Sequence, residues 1–160
     1  MEEMIFPEIF DGRVLGFFTD KELGVDIGPV IGRKIFMPVQ KHTGKVMVLA
    51  PKSTVKVADA VITNRKDLML GVQVADCVPI LLFDRGKSII AAVHAGWRGT
   101  AKGVLKKTVE EMMSKFRSNP KDILMATGPA IRWCCYAVGE DVLKAVRKET
   151  GKGEYFMKKN

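Results

Sequence analysis

A chain of 160 residues that is 47% hydrophobic and 28% charged is long enough to bury one globular core and too short for two full domains. Its net charge of +8 favours anionic partners such as nucleotides or phosphate, yet the lysines are scattered and no nucleic-acid recognition module is expected. No apolar stretch reaches the roughly 18 residues of a membrane span, MEEMIFPEIFDG lacks the marks of a signal peptide, and the three cysteines are read as reduced thiols in a cytoplasmic chain.

Apolar, β-branched runs bounded by turn residues predict strands at 14–18, 30–37, 46–49, 55–63, 68–74, 78–83, 88–94 and 123–127. Residues 84–87, DRGK, read as a hairpin turn. The spacing then predicts a helix over 100–116, with Val104, Leu105, Val109, Met112, Met113 and Phe116 on one face. Thr100 or Gly99 is its expected cap, which would leave backbone N–H groups around 97–102 facing solvent or a ligand. A second helix is expected over 139–150, acidic at its start in Glu140 and Asp141 and ended by Gly151. The whole chain, 1–160, reads as a single α/β domain of layered mixed sheets flanked by helices.

His42, Cys77 and His94 carry the chemistry. They are the only two histidines and the one cysteine outside a vicinal pair, and each sits where an apolar run meets polar or glycine-rich residues: VQKHTGKVMVL, VADCVPILLF and IIAAVHAGWRG. Two imidazoles and one thiolate suit zinc with an open fourth position. The same set with an axial methionine suits copper, which a reducing compartment and an open, hydrolytic site make the second choice. Two histidines are too few for a multicopper centre.

Cys77 and His94 lie at about equal distances from the turn at Arg85 and Gly86, so their side chains are expected to meet across one end of the hairpin. His42 rests on scarcity and junction placement alone. Asp76 has three open roles: orienting a ligand imidazole, general acid or base work, or capping a turn. Gln40, Lys41, Trp97, Arg98, Arg132 and Tyr136 are candidates for a pocket that takes an aromatic ring and an anion. Arg98 is at an expected helix N-terminus, where a cation opposes the dipole unless an anion arrives.

ADCVPILLFD at 75–84, AAVHAGWRGTAKGVL at 91–105 and GPAIRWCCYAVGEDV at 128–142 resemble the laccase-domain family, and QKHTGKV at 40–46 resembles its QVHG segment. That family was once labelled polyphenol oxidase and is now associated with purine nucleoside phosphorylase and adenosine deaminase activity. The resemblance implies a zinc site at His42, Cys77 and His94 and a fold similar in outline to the deamidating toxin domains with a Cys and His pair. It also implies purine nucleoside substrates such as adenosine, inosine or methylthioadenosine, with phosphate or water as acceptor. Cys77, His94 and Asp76 would be catalytic, and Gln40, Arg98, Gly99, Thr100 and Tyr136 would contact substrate.

The chain departs from that pattern at several places. Lys41 and Thr43 flank the histidine, Ala137 follows CCY where glutamate is common, and the domain is expected to be shortened at both ends, passing quickly from FFTDKELGVDIGP to VIGRKIFMPVQKH and closing at YFMKKN. Two other readings stay open. One is a metal-free cysteine hydrolase or deamidase with Cys77 as nucleophile and His94 as base. The other is a non-catalytic nucleotide-binding module, and a homo-oligomer is compatible with each.

Overall fold

A computed structural model describes residues 4–10, 12–20 and 32–151. Val30, Ile31 and the closing YFMKKN of the sequence readings lie outside them. Nine strands and three α-helices are present among the described residues: β1 (Met4–Ile5), β2 (Phe18–Thr19), β3 (Lys34–Phe36), β4 (Val46–Val48), β5 (Ala60–Thr63), β6 (Leu68–Leu70), β7 (Val78–Asp84), β8 (Ile89–Ala95), α1 (Trp97–Thr100), α2 (Val104–Phe116), β9 (Ile123–Thr127) and α3 (Glu140–Thr150). The expected α/β architecture of mixed sheets and helices is observed.

The centre is a five-stranded sheet ordered β4-β5-β8-β7-β9, with β4 and β5 parallel and the other neighbours antiparallel. Its strands alternate their side chains between two apolar layers. One face, with Ala60, Ile62, Ile80, Leu82 and Val93, packs under Val104 and Met112 of α2. The opposite face buries Val61 and Ala92 with Met47 and Leu49 against Phe36, Leu68 and Leu70 of the small parallel sheet β3-β6. A third cluster joins Phe10 and Phe18 to Phe83 and Ala126. Because the order and directions are mixed, the start of β5, the start of β7 and the ends of β8 and β9 all lie at one end of the sheet.

Several predicted elements are shorter or shifted, each for a local reason. The run 55–63 forms a strand only from Ala60, since Val55 and Val57 are 58% and 43% exposed and only a Val39–Val57 bridge precedes it. The run 68–74 pairs only as far as its three-residue partner β3 reaches. Asp84 belongs to β7, and its buried carboxylate accepts the N–H groups of Gly86 and Lys87, so the turn is displaced one residue onward to 85–88. The predicted helix 100–116 is two helices. Gly103, at φ 68°, breaks the chain between them in a conformation that glycine adopts without strain. Neither Gly99 nor Thr100 caps: Gly96 precedes α1, and Thr100 is its last residue. On α2 the buried line runs through Val104, Thr108 and Met112, while Met113 is 43% exposed. Thr108 is tolerated there because its hydroxyl donates to the Val104 carbonyl at 2.7 Å.

Candidate metal centre

The three candidate ligands collect at that common end of the sheet. His94 is near the end of β8, and Cys77 immediately precedes β7. In the β7–β8 register Pro79 pairs with His94 and Val78 with Ala95, so Cys77 falls opposite Gly96. The expected direct opposition of Cys77 and His94 is therefore corrected to a diagonal one, two residues apart on the same face, which still lies within side-chain reach. His42 arrives on the loop between β3 and β4. Donor atoms of His42, Cys77 and His94 all lie within 4.8 Å of one another. Cys77 Sγ is 3.8 Å from His42 Nε2, and the two imidazole rings meet edge to face at 4.6 Å. His94 is buried, Cys77 half-buried and His42 exposed.

One carboxylate that the sequence reading passed over holds this arrangement. Asp59, fully buried, directly precedes β5 and faces His94 across the β5–β8 ladder, where its carbonyl accepts the His94 N–H at 2.7 Å. Its Oδ1 accepts the N–H groups of Lys41 (3.2 Å) and His42 (2.9 Å), and lies 3.0 Å from His94 Nδ1. Its Oδ2 accepts the Thr43 N–H, the Thr43 hydroxyl at 2.7 Å and the Gly44 N–H at 3.2 Å. The loop thus wraps four consecutive N–H groups around an anion, as backbone nests do. His42 accepts a left-handed φ of 54° to do so and Gly44 a φ of 69°; for a non-glycine residue this costs about 1–2 kcal/mol, which the bonds to Asp59 offset.

Burial, the largest influence on Asp59, pushes its pKa upward, but hydrogen bonds from the Thr43 hydroxyl, His94 and the Thr43 and His42 backbone outweigh it and hold the carboxyl at about 2. Asp59 is therefore ionised and can only accept. His94 Nδ1 must carry the proton it donates, so in the neutral ring the lone pair is on Nε2, the tautomer a metal ligand requires. At Cys77, burial and then the negative charges of Asp76 and Asp59 push the thiol pKa up. A cation beside the sulfur would reverse that effect. Two imidazole nitrogens and a sulfur, with an anionic carboxylate behind one imidazole, fit a borderline divalent cation in three positions. They fit a metal-free cysteine nucleophile poorly, since such a residue needs a depressed pKa.

Two further residues brace the cluster. Lys102 Nζ donates to the His42 carbonyl at 3.0 Å. Gly96 leaves the space the ligands use, because a Cβ there would lie 2.8 Å from Cys77 Sγ and 2.9 Å from His42 Cδ2.

The remaining candidates are distributed around this centre. Gln40 holds the loop: its amide donates to the Gln73 carbonyl at 2.6 Å and accepts the Gln73 N–H at 2.8 Å, so both its polar atoms are engaged. Asp76 is exposed and does not orient an imidazole; that part is taken by Asp59. Asp76 instead accepts the Ile131 N–H on its carbonyl at 3.0 Å, which ties the loop after β9 to the Cys77 segment. Arg98 is exposed, with its guanidinium 4.1 Å over the Trp97 ring. Gly99 is buried and Thr100 partly so. The N–H groups of Thr100 and Ala101 donate to the carbonyls of Gly96 and Trp97, which removes them from the expected anion site. Tyr136 is 41% exposed on the loop after β9 and is not among the three clustered donors.

With this geometry described, comparison with known proteins adds the family. The profile described as "Multi-copper polyphenol oxidoreductase laccase" matches residues 21–160. The chain belongs to that family. It is 42% identical over 116 residues to a protein named purine nucleoside phosphorylase from Aquifex aeolicus, covering 72% of this chain and 54% of the relative. It is 35% identical over 137 residues to adenosine deaminase RL5 from an unknown prokaryotic organism, covering 79% and 50% respectively. Among solved structures, YlmD from Geobacillus stearothermophilus superposes with a TM-score of 0.73 at 25% identity, over 92% of this chain and 60% of that one. The Neisseria meningitidis protein NMB0706 does so with a TM-score of 0.68 at 28% identity, over 92% and 61%. The chain spans about half the length of the curated relatives it matches. Both of this laccase-family chain's histidines stand in the three-donor group found among the described residues. No helix among the described residues is long and apolar enough to cross a membrane.

Proposed function

We propose that this chain is a zinc-dependent enzyme of purine nucleosides, cytoplasmic, acting on adenosine, inosine or methylthioadenosine with phosphate or water as the second substrate. The observation that carries this reading is the convergence of His42, Cys77 and His94 with the His94 tautomer set by Asp59. The names of the relatives from Aquifex aeolicus and of adenosine deaminase RL5 supply the substrate class.

His42, Cys77 and His94 would hold the zinc. Bound there, zinc supplies Lewis-acid chemistry that makes water acidic enough to act near neutral pH. The protein's own residues do the rest. Asp59 would hold Nδ1 of His94 as the N–H nitrogen of the neutral ring, so that Nε2 is the one turned to the cluster. Gly96 keeps the approach to the sulfur clear. Arg98, exposed beside the site on Trp97, offers an anion a charged contact, the part a phosphate co-substrate needs, and the stacked Trp97 keeps its guanidinium in place. Asp76, exposed and next to Cys77 in the chain, would take or give a proton at the solvent side. Tyr136, on the loop after β9, and Gly99, in α1, would contact the substrate.

The test is product analysis. Adenosine is incubated with the zinc-loaded chain in the presence and absence of phosphate: adenine with ribose 1-phosphate appears only with phosphate if the reaction is phosphorolysis, and inosine with ammonia in both if it is deamination. Elemental analysis of wild type against Cys77→Ala accompanies it. Stoichiometric zinc in the wild type and its loss in the variant are expected, and absence of turnover by the zinc-loaded chain would sink the catalytic reading while leaving the metal reading standing.

A further inference from the structure

The loop after β9 carries a pair of sulfurs that the proposed reaction does not use. Cys134 and Cys135 are both exposed and unpaired. Consecutive residues in extended chain point to opposite sides, but here the Cys135 N–H donates to the Arg132 carbonyl at 3.0 Å, closing a turn that brings the two Sγ atoms to 3.3 Å. Neither belongs to the His42, Cys77 and His94 group.

The separation selects the ligand. With element–sulfur bonds of roughly 2.3 Å, sulfurs 3.3 Å apart subtend about 92° at a shared centre. A tetrahedral ion such as zinc wants its sulfurs about 3.8 Å apart, and a linear two-coordinate ion about 4.6 Å. An angle near 90° suits a pyramidal, trivalent, thiophilic centre. We propose that Cys134 and Cys135 form a bidentate site for trivalent arsenicals and centres of the same chemistry. With an organoarsenic oxide the step is a condensation without redox change: two S–H bonds and the arsenic–oxygen bonds break, two As–S bonds form, and the oxygen leaves with both protons as water.

The reduced 160-residue chain, freed of reductant under anaerobic conditions, is treated with phenylarsine oxide and followed by intact mass and free-thiol count. One phenylarsenic group per chain with loss of two thiols is expected, for both the wild type and Cys77→Ala. The adduct should survive a large excess of a monothiol and be released by a dithiol. Cys134→Ser and Cys135→Ser, each checked for an unchanged circular dichroism spectrum, should lose at least about 100-fold in apparent affinity, because the second sulfur acts as a tethered ligand. Tryptic mapping of the wild type should place the arsenic on the peptide 133–144. Undiminished binding by either serine variant, loss of the adduct in Cys77→Ala, or arsenic on another peptide would overturn the proposal.

Discussion

Replacing Asp59 with asparagine separates the effect of this carboxylate from that of its shape. Whichever oxygen becomes the amide NH2 then faces donors: Lys41 N–H, His42 N–H and His94 Nδ1 on one side, Thr43 and Gly44 on the other. Holding the carboxyl at about 2 rather than 3.8 corresponds to about 2 kcal/mol of stability. Leaving a buried partner uncompensated brings the whole loss to roughly 3–5 kcal/mol. Because the folded-state pKa is depressed, the charge-dependent part is fully present above pH 3.8 and is lost as pH falls through about 2. The stability gap between wild type and Asp59→Asn, measured by urea unfolding of the metal-free proteins, should therefore narrow by about 2 kcal/mol between pH 5 and pH 2. Zinc affinity, measured by competition with a chromophoric chelator at pH 7, should fall about 10–100-fold. A variant within 1 kcal/mol of wild type that keeps its zinc affinity would refute the assignment of Asp59 as the group that positions both histidines.

Gly96→Ala has a compatible backbone, at φ −73°, so its effect should fall on the ligands that a Cβ would strike. About tenfold weaker zinc in the same competition assay is expected, with a stability loss of about 1–3 kcal/mol from overpacking. Lys102→Met keeps the apolar stem and removes only the bond to the His42 carbonyl; about 1 kcal/mol in denaturant unfolding is expected. At Gly103, alanine must adopt φ 68° and would crowd the Glu149 carboxylate, so Gly103→Ala should cost about 1–2 kcal/mol or more, read as a lowered unfolding midpoint. Ile62→Ala, at the fully buried centre of β5, should cost about 2–5 kcal/mol without changing metal stoichiometry.

The central hairpin was readable because Val78–Asp84 and Ile89–Ala95 are long, apolar and joined by a polar turn, and the equal spacing of Cys77 and His94 about it placed both on one face. The register itself was not readable, since it depends on Asp84 folding back onto Gly86 and Lys87 and moving the turn by one residue. Scarcity singled out His42, although nothing local shows that its loop closes on a residue at the foot of β5. Asp59 did leave a trace: it is a carboxylate inside the run KVADAVIT, and a charge in a segment otherwise apolar enough for the core needs a partner there. Its partners come from 41–44 and from 94, so only the tertiary fold reveals them. The break at Gly103 escaped notice because the apolar spacing of α2 continues smoothly past it, and backbone conformation rather than periodicity decides where a helix starts.

The graded burial of the three donors would set an order of events for an ion binding there. His94 is locked from behind and Cys77 is half sheltered, while His42 stands at the water's edge on a loop that curls around an anion. Were an ion to bind there, exchange would run through the outermost imidazole, His42, so its rate should follow the opening of the 41–44 loop more than the strength of the sulfur bond.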